Sequence, residues 1–427
     1  MTLIRRGITF LLPARTIPIF RNATFLIINS FAGALLGAGF WLLSARLFES
    51  SEVGSASVVL SLVGFVTVVS KLGFDSGIVR FVNEWENRGA VLLSLLLLCG
   101  IVAFGTTSAI MLADRLFGIA DRLLWHTPFL TPLVVVASVA YSVFLLEEDI
   151  FIGLRRIDFM AYQNILFRTL PLSLLPLLSI WSRDYTVIVA SWSFAILLGF
   201  LVRTFYFIPR TIHPDKLSFS FRMPQAAGFG KYVSANYIAS ILAVAPSSFM
   251  PVIVVSSLGA ANGAFFYAAW LVAGLLYAVP NAFAMSLFAE GSSDPRSSDL
   301  TLVIRHYWKI SSLATALLAM LLFAFSGPVM QLFGKGYQEN SMDVLRLLSL
   351  SAVPLSFMLT YVTILRIRTE PRGIVILYAV LAFSFISLSM IVVRGCGLVG
   401  IAASWLAVST LIGFLSVVGI NKALAEE

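Results

Sequence analysis

Charge is scarce in this chain. Of its 427 residues, 12% are Asp, Glu, Lys or Arg, against about 25% in soluble globular domains. Histidine and cysteine are scarcer still: His126, His213 and His306, Cys99 and Cys396. Their spacing provides neither a zinc cage nor a CxxC redox pair, so both cysteines are expected to be small buried apolar side chains. No GxxxxGK[ST] phosphate loop occurs, which argues against ATP hydrolysis by the chain itself. Long polar connections are also absent, so there is no soluble domain to house an enzyme. The acidic run Glu147, Glu148, Asp149 has no such domain with which to bind a sugar nucleotide.

Hydrophobic length is what the chain has in abundance: 59% of it is apolar and the mean hydropathy is +0.95. Apolar runs of about 18 residues or more are candidates for crossing a bilayer. Twelve approximate spans fit: 24–45, 54–76, 90–112, 128–147, 160–181, 185–208, 233–256, 263–289, 308–332, 341–365, 373–393 and 397–420. Lipid offers the backbone no hydrogen-bond partner, so each must be helical. The short alternating strands of a membrane barrel are not seen.

These runs repeat. ARLFESSEVGSASVVLSLVG around Gly54 and VSSLGAANGAFFYAAWLVAG around Gly263 stand about 209 residues apart. That offset carries the first six spans onto the last six, and duplicated six-helix units are a recurrent transporter design. The expected fold is an all-α polytopic membrane protein, with twelve transmembrane helices in two pseudo-symmetric six-helix lobes around a central cavity. The expected segments are a cytoplasmic interfacial stretch 1–22 (not a cleaved signal), an N-terminal lobe 23–208, a cytoplasmic linker 209–231 and a C-terminal lobe 232–427.

A net charge of +8 raises the question of nucleic acid, and the placement of the charge answers it. Roughly 20 lysines and arginines, Arg203 and Arg210 among them, fall at one side of the spans and 6 at the other; Lys71, Arg168 and Arg346 lie within spans. Cytoplasmic loops carry such an excess. Both termini are therefore expected on the cytoplasmic side of the cell membrane, with no nucleic-acid partner. Trp41, Trp125, Trp181, Trp308 and Tyr337 fall near the expected interfaces and suit an aromatic belt. Pro171, Pro176, Pro246, Pro251, Pro280 and Pro354 lie inside spans and favour kinks. Gly33, Gly37, Gly39, Gly73 and Gly77 allow close helix approach, for packing or for sliding faces.

Ionisable groups at lipid depth usually face an interior or a water-filled cavity. Lys71 and Asp75 are four apart and could pair on one helical face; Lys71 could equally snorkel. Arg168 lies about 12 Å into its span at 1.5 Å per residue, with Asn164 one turn earlier and Gln163 beside it. Its forked donors suit a phosphate; an inter-helix pair with Glu147, Glu148 or Asp149 is the structural alternative. Asn29, Asn236 and Asn281 either line a cavity or bond between helices. Asp75 and Glu147 are the candidates for a cation-coupling carboxylate.

The stretch Asn22–Val82 resembles the opening of polysaccharide and O-antigen flippases, within the multidrug/oligosaccharidyl-lipid/polysaccharide exporter superfamily. The matching features are the ARLF turn, the run ESSEVGSAS and the LGFDSGIVRF that ends span two. The second-lobe counterpart of that ending, near VPNAFAMSLFAEGS, lacks the Lys, Asp and Arg. The resemblance implies a flippase that moves a polyprenyl-pyrophosphate-linked oligosaccharide by alternating access, without a cofactor, driven by a proton or sodium gradient. Its implied partners are the lipid-linked substrate, membrane lipids and other polysaccharide-assembly membrane proteins. A multidrug and toxin extrusion antiporter, an integral-membrane polymerase or ligase, and a scaffold for a biosynthetic complex are the competing readings.

Overall fold

The computed structural model describes residues 17–118, 123–125, 127–212, 224, 229–293 and 300–425. Most of the expected interfacial stretch 1–22 and of the linker 209–231 lies outside these residues, as do His126 and His213. Described regular structure is all helical. The first half comprises α1 (Ile17–Leu47), α2 (Ser50–Ser70), the short α3 (Phe74–Phe81), α4 (Arg88–Phe117), α5 (Leu130–Gly153), α6 (Ile157–Leu178), α7 (Tyr185–Val202) and, beyond a π-helical turn at Arg203–Phe207, α8 (Ile208–Ile212). The second comprises α9 (Phe229–Leu258), α10 (Ala260–Ser293), α11 (Leu300–Ala324), the short α12 (Ser326–Gln331), α13 (Lys335–Ile367) and α14 (Pro371–Ala425).

Among the described residues nine helices are long and apolar enough to cross a membrane, and the chain is a multi-pass membrane protein. The 55-residue α14 counts once among the nine, yet Gly397 (φ 58°, ψ −147°) breaks it where the sequence separates the last two spans. Span two also differs from expectation. It does not run unbroken to residue 76: α2 stops at Ser70, and Leu72 and Gly73 take positive φ (51° and 75°) before α3 begins. Only glycine suits the second of these positions, because a Cβ at Gly73 would also lie 2.6 Å from the Val233 carbonyl oxygen.

Packing follows the repeat. In the first lobe α1 lies on α6, while α5 contacts α2, α4 and α7; in the second α9 lies on α14, while α13 contacts α10, α11 and α14. The seam between lobes is made mainly by α2 against α9 and α10. Taking the end where α1 finishes as the upper one, the two repeat-related glycines meet there. A Cβ on Gly54 would lie 1.7 Å from the Ala260 carbonyl oxygen, and one on Gly263 would lie 3.6 Å from Gly54 Cα. Nearby, Arg46 of the ARLF turn reaches across the seam. Its Nε donates to the Leu332 carbonyl (2.6 Å) and its Nη2 to the Gln331 carbonyl (3.0 Å), at the end of α12. At the lower end Tyr237 Oη donates to the Val69 carbonyl (3.0 Å), and the Arg80 guanidinium lies 4.6 Å from the Tyr232 ring centroid.

Two expectations need correction. Trp41 and Tyr337 are buried rather than belt residues. The Trp41 ring packs 4.5 Å from Tyr267 across the seam, and Tyr337 packs against Phe265 and Phe333. An aromatic near a span end can close a helix seam as readily as it can sit among lipid head groups. Of the cysteines, Cys99 is buried but Cys396 is exposed, because it lies on the outward side of α14 beside the Gly397 break.

Overpacking a filled contact costs about 1–3 kcal/mol. Replacing Gly54 by Val is therefore expected to lower the thermal unfolding midpoint of the purified protein. Gly37→Ala, at a site with no atom within 4 Å, should leave the midpoint unchanged.

Candidate functional site

The lower half of the first lobe holds a polar interior assembled from α1, α5, α6 and α7. At its centre is Arg203, whose side chain has no solvent exposure. The π-helical turn points Arg203 and its neighbour Thr204 at different partners. Arg203 Nε donates to Gln163 Oε1 (3.0 Å), Nη1 to the Phe144 carbonyl (2.9 Å) and Nη2 to Asn164 Oδ1 (2.7 Å). Its guanidinium carbon lies 3.5 Å from the centroid of the Phe144 ring, a cation–π contact that gains strength from desolvation. Thr204 Oγ1 donates to Glu147 Oε1 (2.6 Å).

Asn164 passes the network on. Its Nδ2 donates to Glu148 Oε1 (2.9 Å), and Asn29 Nδ2 reaches the same oxygen at 3.5 Å. Asn29 Oδ1, Glu147 Oε2, Glu148 Oε2 and Gln163 Nε2 are buried with no hydrogen-bond partner. Three of these four are acceptors, so the cluster is short of donors. A bound proton or cation would supply what is missing.

Above the cluster opens a cavity of about 380 Å³. Asn164 and Arg168 give it its polar lining, and Phe40, Trp41, Tyr141 and Trp192 are among its aromatic walls; Tyr267 comes from the second lobe. Gly33 makes room for the arginine, since a Cβ there would lie 1.4 Å from Arg168 Nη1. The structural alternative for Arg168 is not realised: among the described residues it forms no ion pair, because the three acids are engaged elsewhere. Glu147 binds Thr204, Glu148 binds the two asparagines, and Asp149 Oδ2 takes Lys71 Nζ at 2.7 Å.

Arg168, Asn164, Asn29 and Glu147 are thus brought together, with Lys71 held at the edge by Asp149. Asp75 makes no ion pair with Lys71, because the break at Leu72–Gly73 interrupts the helix between them and Asp75 Oδ1 accepts from the Ser76 amide (2.7 Å), but it stays near enough to interact electrostatically with both Lys71 and Asp149. Asn236 donates to the Tyr232 carbonyl within its own helix (2.8 Å) and lines a different, smaller cavity in the second lobe. Asn281 is exposed on α10.

Sequence reading missed Arg203 by assigning it to a cytoplasmic connection. The signal was present, because position 203 lies five residues inside its own apolar span 185–208. Glu148 entered only as a partner for Arg168, and Thr204 not at all.

Arg203 is expected to be structurally indispensable. Removing it leaves Gln163, Asn164 and the Phe144 carbonyl short of a donor in a buried interior, at about 1–3 kcal/mol for each acceptor left unsatisfied. Arg203→Met should lower the thermal midpoint sharply, and Arg203→Lys should not restore it because an ammonium cannot reproduce the planar fork.

No protein-family model matches the sequence, and no curated protein sequence is recognisably similar. Solved structures are similar in fold. An inward-facing multidrug-resistance transporter of the MATE family, in the MOP superfamily, aligns at TM-score 0.69 and 14% identity, over 95% of this chain and 98% of that one. The lipid II flippase MurJ in an inward closed conformation aligns at TM-score 0.72 and 14% identity, over 94% and 87%. A MOP superfamily transporter from Pyrococcus furiosus, described as having a binding pocket of reversed polarity, aligns at TM-score 0.67 and 14% identity, over 96% and 95%. The chain therefore has the twelve-helix fold of the MOP superfamily transporters.

Proposed function

We propose that the chain is a flippase that carries a polyprenyl-pyrophosphate-linked oligosaccharide across the cytoplasmic membrane by alternating access. The observation that carries this reading is Arg168: a guanidinium free of any ion pair among the described residues, in a cavity walled by aromatic rings. A planar fork of donors suits phosphate oxygens, and aromatic faces suit the apolar faces of sugar rings. A sugar head group cannot dissolve in hydrocarbon, whereas its lipid tail can stay in the bilayer outside the lobes. The excess of Lys and Arg assigns the lower end to the cytoplasm. Glu147 and Glu148, with the unpartnered oxygens described above, are the carboxylates best placed to take a coupling proton or cation; Asp75, at the edge beside Lys71 and Asp149, is a further candidate. The fold shared with a lipid II flippase supports the reading.

Export of amphipathic drugs is the second reading, supported by the equally close fold of a multidrug-resistance transporter. A cationic drug would meet a repelling charge at Arg168, which favours an anionic substrate.

A strain lacking this protein should accumulate a lipid-linked oligosaccharide in its inner leaflet. In the complemented strain, Arg168→Ala should lower translocation about tenfold or more, the worth of a charged hydrogen bond, while the variant still reaches the membrane. Unchanged translocation by Arg168→Ala, or no accumulation in the deletion strain, would overturn the reading.

A further inference from the structure

The second lobe has a cavity of its own, about 80 Å³, at the lower end between α9 and α14. That helix pair is the repeat counterpart of α1 and α6, which wall the larger cavity. The design is the same in kind. Small side chains of the first helix, Ala239 and Ala243 here and Gly33 and Gly37 there, leave space opposite the partner helix. The polar groups differ. Asn236 and Ser240 line the cavity from α9, Tyr378 from α14, and Arg366 closes it from the end of α13.

The chemistry of this lining is one-sided. A guanidinium, two hydroxyls and an amide can all donate, and no carboxylate lines the cavity. Among the described residues Arg366 forms no ion pair, and the Tyr378 hydroxyl makes no hydrogen bond. The volume holds one tetrahedral oxyanion or two to three waters, at about 30 Å³ each. A cation would face Arg366 with no compensating acid, and a purely apolar group would strand the donors.

We propose that this cavity is a second anion site, taking one phosphate group, free or as one end of a pyrophosphate, of a ligand at the lower face. Arg366 supplies the charge, and Ser240, Tyr378 and Asn236 supply donors. The assignment stands on the cavity's own lining, and holds whether or not Arg168 serves a lipid-linked sugar. The shared chemistry admits two sources: a lipid head group, or a phosphate group from the aqueous side.

The probe is inorganic pyrophosphate, titrated calorimetrically into the purified full chain in phospholipid-free detergent. Wild type should bind it. Arg366→Gln should weaken one binding event about tenfold, and Tyr378→Phe should weaken the same event severalfold with the ring packing kept. Arg168→Gln should leave that event intact, so loss of the Arg168 site alone counts against the proposed function and not against this one. Arg366 is itself exposed at the cavity mouth, so Arg372, exposed at the same end but outside the lining, is the control. The proposal is overturned if pyrophosphate does not bind, if Arg366→Gln binds as wild type does, or if Arg372→Gln is equally damaging, which would mark a diffuse basic surface. Repeating the titration in nanodiscs separates the sources. Weaker pyrophosphate binding with phosphatidylglycerol than with phosphatidylcholine alone points to lipid head groups, and equal binding points to the aqueous phosphate.

Discussion

A guanidinium without access to water sets the terms for the first lobe. Arg203 cannot give up its charge under ordinary conditions, and burying it is tolerable only while its donors are occupied. Those occupants come from two other helices: Phe144 from α5, and Gln163 and Asn164 from α6. The register of α7 against both is thereby fixed. A π-helical turn begins at Arg203 and carries Thr204 as well, whose hydroxyl reaches Glu147; such insertions are often found where a helix carries function.

The two lobes share an architecture and differ in what fills it. In the first lobe three acids and three bases gather near the lower half of the cavity. In the second, the positions about 209 residues on from the acids are Ser356, Phe357 and Met358, and an aromatic cluster lies nearer the upper end. Trp270 stacks on Phe385 at an interplanar angle of 10°, Trp405 packs edge-on to both, and Trp405 Nε1 and Ser351 meet at the Tyr277 hydroxyl. Duplication supplies two bodies with the same helix order, and divergence of the interior residues leaves one rich in ionisable groups and the other closely packed. The polar cavity of the second lobe is correspondingly small and lies at its margin.

The helices were legible because their signal is additive. Some twenty apolar residues in a row outweigh any single exception, so each expected span overlaps a helix, with ends that differ by up to eight residues, as for 308–332 against Leu300–Ala324, and with the break that shortens span two. The repeat was legible from spacing, and the Gly54–Gly263 contact gives that spacing a physical meaning, since two equivalent turns meet across the seam. Site geometry was less legible. Whether Arg203 points into the lobe or out to water depends on one turn of helix, and on a π-helical insertion that no composition window detects. Lys71 pairs with Asp149 and only senses Asp75 from further off, for a related reason. Four-residue spacing places groups together only on an unbroken helix, and Gly73 was weighed as a packing residue rather than as a break. Arg168 was recovered because it stands alone deep in an apolar run, where a charge needs a reason.

The seam itself is built so that parting it strands no charge. Both ion pairs among the described residues, Lys71 with Asp149 and Arg346 with Asp343, lie within one lobe each. The polar links across the seam include those from Arg46 and Tyr237 to backbone carbonyls, a Trp41–Tyr267 side-chain hydrogen bond and the Arg80 guanidinium over the Tyr232 ring, groups that water can satisfy once they separate. A buried cross-lobe salt bridge would impose several kcal/mol on separation; these links impose far less. The rest of the contact is dispersion, between close backbones as at Gly54 and between rings as at Trp41–Tyr267 and Phe65–Phe249, which changes steeply with distance and favours discrete arrangements over gradual ones. Two states within a few kcal/mol of one another are what a ligand needs if its binding energy is to shift the balance. For the alternating access proposed above, costly electrostatics inside the first lobe and light contacts between the lobes would keep that balance within reach.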